Sequence, residues 1–283
     1  MTHRNDADLL VQAPGHAPVE RTIVVEGASV HYIDWGPADA PAVVLVHGGL
    51  AHARWWDHIA PHLVGHRVVA LDLTGHGDSG TRDGYDMRQW GREIVGVVRA
   101  AGLQRPVVVG HSMGGYPSVS AAIDAPEEIR GVITLDSRFN DGEYIRGYKK
   151  SREFTSIDEA LCNFDPVHSN SAIAVPTAVL RHIGETSLRR EGENWRWKRD
   201  DNYRITQAPL RKLLPELRRP LAIVQTEHGL VTDDLAAEMR ALTPATSITV
   251  KIPTAGHNPM LEQPVALISV LRTLLTTEWK DSP

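Results

Sequence analysis

Pro106-Val107-Val108-Val109-Gly110-His111-Ser112-Met113-Gly114-Gly115 is a short β-branched run that ends in a serine with glycine two residues to either side. This is the G-x-S-x-G pattern of a nucleophile elbow, in which a strand turns sharply into a helix. The serine takes a strained backbone there, so its close neighbours must lack side chains. The turn lifts the hydroxyl clear of the sheet and leaves the next backbone N–H aimed at the same space, at the positive end of a helix. Five residues of this kind are common by chance. Between "PVVV" and a helical segment they predict a catalytic serine.

Outward from the elbow, strand and helix signals alternate. The strands are "AVVLVHG" from Ala42, "RVVALD" from Arg67, "PVVVG" from Pro106, "GVITLD" from Gly131, "LAIVQT" from Leu221 and "SITVKI" from Ser247. Near-continuous apolar runs of this kind suit a parallel sheet covered on both faces. "TIVVE" (Thr22 to Glu26) and "SVHYID" (Ser29 to Asp34) read as an opening antiparallel hairpin. "WWDHIAPHLV", "DMRQWGREIVGVVRAAG", "DDLAAEMRAL" and "PVALISVLRTLLTTEW" carry helical spacing between and after the strands. The expected class is α/β, a doubly wound, mostly parallel sheet with helices on both faces.

One stretch breaks the rhythm. Residues 137–207 stand where a single crossover helix would suffice, and they hold Tyr144, Tyr148, Phe154, Phe164, Trp195 and Trp197. A loop of that length needs structure of its own, and it enters beyond a strand's carboxyl end, where such sheets bind ligands. It is expected to be a helical lid. The core is then 21–136 and 208–283, and residues 1–20 form a loose tail with no hydrophobic signal core.

The composition narrows the classes further. The chain has 283 residues, 42% hydrophobic and 23% charged, with a formal net charge of −5. No long run of one sign favours nucleic acid. No apolar stretch approaches the ~20 residues of a membrane helix. The single cysteine, Cys162, excludes an internal disulfide and a cysteine-based metal site. Neither a G-x-G-x-x-G after the first strand nor a Walker lysine is present, and no His/Asp/Glu cluster has metal-ligand spacing. A cytoplasmic enzyme without cofactor or metal, acting on a small molecule and not on nucleic acid or membrane, is expected; homodimerisation is left open.

Four motifs occur in order: "HGG" at His47 to Gly49, "DLTGHGDSG" at Asp72 to Gly80, "GHSMGG" at Gly110 to Gly115 and "AGHNPMLEQP" at Ala255 to Pro264. Over residues 21–280 or so the chain resembles the α/β-hydrolase superfamily, in particular its lidded esterase- and lactonase-like members. The resemblance implies an eight-stranded, mostly parallel sheet. It also implies that the base is His257, in the turn between the last strand and the final helix. His111 adjoins Ser112, but neighbours at a sharp turn diverge. The oxyanion donors would be the backbone N–H groups of Met113, after the nucleophile, and of Gly49, in the loop after "AVVLV". "GHGDSG" resembles a turn that supports the site.

The third member of the triad departs from the pattern. The family's acid usually follows the seventh strand in G-x-x-D, but the matching residues are Thr226-Glu227-His228-Gly229. Some relatives place the acid after the sixth strand, which here is Asp136 at the end of "GVITLD". Asp136 is favoured, with Glu227 as the alternative acid. Trp55 and Trp195 are taken as substrate-binding candidates.

Serine at position 112 argues for acyl transfer and against reactions that need an alkyl-ester carboxylate. The expected function is a serine hydrolase of the carboxylesterase or lactonase type. It would cleave an ester, lactone or similar activated carbonyl of a small, largely apolar molecule through an acyl-enzyme. The alternatives are a non-hydrolytic enzyme (C–C hydrolase, lyase or cofactor-free dioxygenase) and a ligand-binding receptor on the same scaffold.

Overall fold

The alternation of side chains along each strand divides the protein into two cores. The structure is a computed structural model that describes residues 17–138, 144–147, 151–166, 175–202, 204–207, 210–244 and 246–276. Its main sheet contains β1 (Val19–Val25), β2 (Ala28–Trp35), β3 (Ala42–Val46), β4 (Arg67–Leu71), β5 (Val107–His111), β6 (Gly131–Leu135), β7 (Leu221–Thr226) and β8 (Ser247–Ile252). Val44, Val46 and Val108 enter one apolar cluster, while Val43, Leu45, Val107 and Val109 enter the other. Helices α1 (Met87–Ala100), α2 (Gly115–Asp124) and α5 (Asp233–Leu242) cover the first face. On the second face, the short α6 (Pro259–Glu262) and the long α7 (Pro264–Thr276) pack with Trp55 and Trp56. The mostly parallel sheet with helices on both faces is the architecture expected from the sequence.

The spatial order is β1-β2-β4-β3-β5-β6-β7-β8. β1 and β2 pair antiparallel, β2 pairs antiparallel with β4, and all remaining pairs are parallel. The β1–β2 hairpin closes on Glu26 and Gly27, both at positive φ, as a two-residue turn that follows strand twist requires. The chain builds outward from β3 to β4, then returns to the other side of β3 for β5. That reversal opens a crevice beyond the carboxyl ends of β3 and β5. The elbow serine stands there.

α1 shows how local signals place a crossover. Asp86 caps its start, accepting from the Gln89 N–H at 2.7 Å. Trp90, Ile94, Val97 and Val98 lie on its buried stripe. Gly102, at φ +65°, ends it: Leu103 N–H reaches Val98 O and Gly102 N–H reaches Arg99 O, a Schellman closure.

The inserted segment differs from the helical lid expected. It carries α3 (Ile157–Cys162) and α4 (Thr177–Thr186), but also an antiparallel hairpin of Leu188–Glu191 with Asn194–Trp197. Strand Arg204–Gln207 pairs with Tyr144–Gly147 and with Tyr85–Asp86 of the core. The segment is therefore mixed α and β: its two tryptophans sit on a paired strand rather than on a helix face. Phe154, Ala160 and Leu188 form its small core. The expected tail is also shorter at its end, since Val19 and Glu20 already pair with Asp34 and Ile33. Residues 1–16, and Tyr148 of the insertion, lie outside the described residues. Among the described residues, no helix is long and apolar enough to cross a membrane.

Trp90 joins α1 to the loop after β4: it is fully buried, and its indole N–H reaches Thr74 O at 3.2 Å. Trp90→Ala is expected to cost about 3–5 kcal/mol. That corresponds to a fall in Tm of roughly 10 °C for a domain of this size, read by thermal unfolding.

Candidate active site

Ser112 adopts φ +50°, the left-handed region that a non-glycine residue occupies only when its surroundings force it. The surroundings are tight. A Cβ on Gly110 would lie 2.4 Å from Gly114 O, and one on Gly114 would lie 2.5 Å from His47 O. Both glycines of the G-x-S-x-G pattern are thus required by close backbone approach. Met113 follows in the first turn leading into α2, so its N–H lies at the helix's positive end.

Three side chains from three strand ends converge on the elbow. His257, in the turn after β8, lies with Nε2 2.9 Å from Ser112 Oγ and Nδ1 2.7 Å from Asp136 Oδ2. A carboxylate beside Nδ1 and a hydroxyl beside Nε2 select the tautomer. Nδ1–H donates to Asp136, and Nε2 accepts the Ser112 proton. Asp136 stands just past β6 at φ +43° and is completely buried. Its oxygens accept from Leu230 N–H at 2.9 and 3.0 Å and from Val231 N–H at 3.0 Å.

The loop after β7, where the family pattern usually places the acid, instead donates its backbone to Asp136. Gly229 makes this geometry available: a Cβ there would sit 2.4 Å from Asp136 Oδ2 and 1.9 Å from Thr226 Oγ1. Glu227, the alternative acid, is not brought to the histidine. Its exposed carboxylate accepts from Thr254 N–H at 2.6 Å. The added methylene and a strand-end position past β7 send it to the turn after β8.

Two further histidines brace the site. His111 donates from Nε2–H to His257 O at 2.8 Å, fastening the backbone of the base turn. Burial, followed by repulsion from His257, pushes its pKa down to about 3, so the ring is neutral. His47 donates from Nδ1–H to Gly48 O at 2.7 Å, and its Nε2 accepts from Leu73 N–H at 3.0 Å, tying the Gly49 loop to the loop after β4. A Cβ on Gly48 would lie 3.2 Å from Ser112 Cβ, which shows how closely that loop abuts the serine.

The "GHGDSG" turn supports the site from behind. Buried Asp72 accepts from Ala53 N–H at 2.6 Å and Asp78 N–H at 2.9 Å, and from His31 Nδ1–H at 2.8 Å. Burial alone would raise its pKa, but the His31 bond together with the attraction of His52, His31 and His47 outweighs that and holds the carboxyl well below the usual range. His31, Asp72 and Asp78 bring one ligand atom each within 4.8 Å of one another. Asp72 is already saturated with N–H donors and Asp78 pairs with Lys198 at 2.7 Å, so this is a balanced hydrogen-bond network.

Ser112 and His257 open on a cavity of about 290 Å³. Gly49 and Met113, the expected oxyanion donors, border it beside the serine. An aromatic arc crosses its wall: Trp55 from the core, then Phe164 at 6.4 Å between ring centroids, then Trp197 at 5.4 Å. Trp55 lies where the sequence reading put it. Trp195 does not; its backbone pairs with Phe154 and its ring packs on the small core of the insertion. Trp195 and Trp197 share one face of a strand, so their spacing could not separate them. Docking of the hairpin on the core did. His52 and Ser187 also line the cavity, and no sequence motif marked either one.

A family model described as alpha/beta hydrolase fold matches residues 41–264. Esterase Rv0045c of Mycobacterium tuberculosis is 26% identical over 279 residues, covering 94% of this chain and 93% of that protein. Karrikin insensitive 2 receptor CA of Petunia hybrida is 26% identical over 243 residues, covering 81% of this chain and 89% of that one. The crystal structure of E-2-(acetamidomethylene)succinate hydrolase superposes with a TM-score of 0.78 at 20% identity, covering 92% of this chain and 100% of that one.

Gly229→Ala is expected to push the carboxylate of Asp136 away from His257. Stability should fall by about 1–3 kcal/mol, the usual cost of overpacking. Thermal unfolding reads that loss, and p-nitrophenyl butyrate hydrolysis should show a parallel fall in kcat. Gly229→Asp, which restores the residue type usual after the seventh strand, should lower activity rather than raise it.

Proposed function

This chain belongs to the α/β-hydrolase family, and from that premise we propose that it is a serine esterase acting on small esters or lactones through an acyl-enzyme. The observation that carries the proposal is the Ser112–His257–Asp136 chain of hydrogen bonds, 2.9 and 2.7 Å, at the edge of the cavity. The name of the mycobacterial esterase, similar over nearly its whole length, supports the same reading.

In this mechanism His257 Nε2 takes the Ser112 proton as Oγ attacks the carbonyl carbon. Asp136 holds the ring in that tautomer and stabilises the imidazolium. The N–H groups of Gly49 and Met113 hold the tetrahedral oxyanion; one such donor is worth roughly 3–4 kcal/mol in the transition state. The imidazolium then gives its proton to the departing alkoxide, and the acyl group stays on Ser112. A water, deprotonated by the same histidine, attacks that ester, and collapse releases the acid and restores the serine. The aromatic arc supplies apolar contact for the substrate. The insertion over residues 137–207 serves as the lid that sets its size.

Ser112→Ala is expected to fold normally and to lose p-nitrophenyl butyrate hydrolysis by roughly 10³-fold or more in kcat. Wild-type-like turnover in that variant would overturn the mechanism. Asp136→Asn should lower kcat by roughly 10²–10⁴-fold, because the amide favours the wrong tautomer. Glu227→Gln should leave kcat within about twofold of wild type, since changes at exposed groups away from the chemistry cost little. The similarity to a plant receptor favours a second reading, a ligand sensor. Steady multiple turnover at a rate independent of enzyme modification counts against it, whereas a single burst that leaves Ser112 acylated supports it.

A further inference from the structure

His52 is 3% exposed and lines the cavity beside Ser187, itself 5% exposed. Its Nε2 lies 2.7 Å from Ser187 Oγ, and Ser187 Oγ–H donates to Ile183 O at 2.6 Å. A hydroxyl has one proton, and that proton is spent on the carbonyl. Ser187 must therefore accept, and His52 must carry its hydrogen on Nε2. Burial lowers the pKa of His52 to about 4, so near neutral pH the ring is uncharged and Nδ1 holds a bare lone pair. Nδ1 has no hydrogen-bond partner among the described residues. The ring borders the cavity, which leaves Nδ1 as its one uncommitted polar atom among the described residues.

The rings of Trp55 and Phe164 share the cavity wall with His52, and Ser187 is used on both sides. An acceptor held in one tautomer, with its orientation locked by a buried serine, is a specificity device rather than a solvated surface group. We infer that His52 Nδ1 accepts a hydrogen bond from the substrate, and that the preferred ester carries a hydroxyl or amide N–H in the part that enters the cavity. This refines the largely apolar substrate expected from the sequence. It rests on the esterase reading, but its consequences are separable from that reading.

Sites built to pair with a substrate O–H or N–H reject analogues that lack it, because the protein group is then left desolvated and unpaired. The probes are p-nitrophenyl butyrate, p-nitrophenyl 3-hydroxybutyrate and the p-nitrophenyl ester of N-acetylglycine. At least one donor-bearing ester should exceed butyrate in kcat/KM by about tenfold or more in the wild type. That ratio should fall to within about threefold of unity in His52→Phe, which keeps ring volume but offers no acceptor. Ser187→Ala, which frees the ring to change tautomer, should erode the same ratio by several-fold. Calorimetric Kd values for the same esters on Ser112→Ala protein give the ratio without turnover, so a failure of esterase activity does not hide the outcome. No preference for either donor-bearing ester overturns the inference. So does a preference that survives intact in both variants. Absence of butyrate hydrolysis with the Kd ratio intact would instead sink the esterase reading and leave the role of His52 standing.

Discussion

The site depends on one buried carboxylate. Asp136 has no solvent contact and, among the described residues, no lysine or arginine paired with it; it is met by N–H groups from two directions, Leu230 and Val231 on one side and His257 on the other. An ionised carboxylate away from water is costly unless such donors surround it. The loop after β7, the turn after β8 and the end of β6 must therefore stay in register for the charge to be tolerated. The parallel pairing of those three strands supplies that register. Gly229 completes the arrangement by removing the side chain that would occupy the same volume.

The elbow and the carboxylate are two strained points on neighbouring strands. Ser112 and Asp136 both leave their strands at positive φ, each turning its side chain out over the sheet edge. Strain of this kind persists only where packing over-determines it. Here the packing is the close stacking of Gly110, Gly114 and Gly48 around the serine, and the backbone cradle around the aspartate. His257 bridges them, and its own backbone is tied down by His111. Each group is thus positioned through main-chain contacts, which small changes in side chains elsewhere disturb little.

The insertion contributes a different kind of order. It meets the core through strand pairing at Tyr85–Asp86, through Val179 and Ile183 in the second apolar cluster, and through polar contacts that include His52 with Ser187, Tyr85 O–H with Asp200 at 2.6 Å and His182 with Asp57 at 2.7 Å. Those contacts decide which faces of the hairpin meet the cavity. Both hairpin tryptophans pack on the insertion's small core, and Trp197 also takes part in the aromatic arc that lines the cavity. The polar contacts also convert His52, an unremarkable residue six positions from a strand end, into a group with one fixed tautomer.

The sequence by itself determined the α/β class, the parallel core strands, the elbow at Ser112, and the turn that carries His257. Each is written locally: β-branched runs for buried strands, glycines where backbones touch, a histidine in a turn before the last helix. It also narrowed the acid to two carboxylates at adjacent strand ends, and there local information stopped. Asp136 and Glu227 both follow apolar strands. Which one reaches His257 depends on the position of the loop after β7 and on the space left at Gly229. The mixed character of the insertion, the choice of Trp197 and the pairing of His52 with Ser187 were likewise decided by tertiary structure. These features arise from contacts between segments far apart in the chain, and no periodicity or short motif records a contact of that kind.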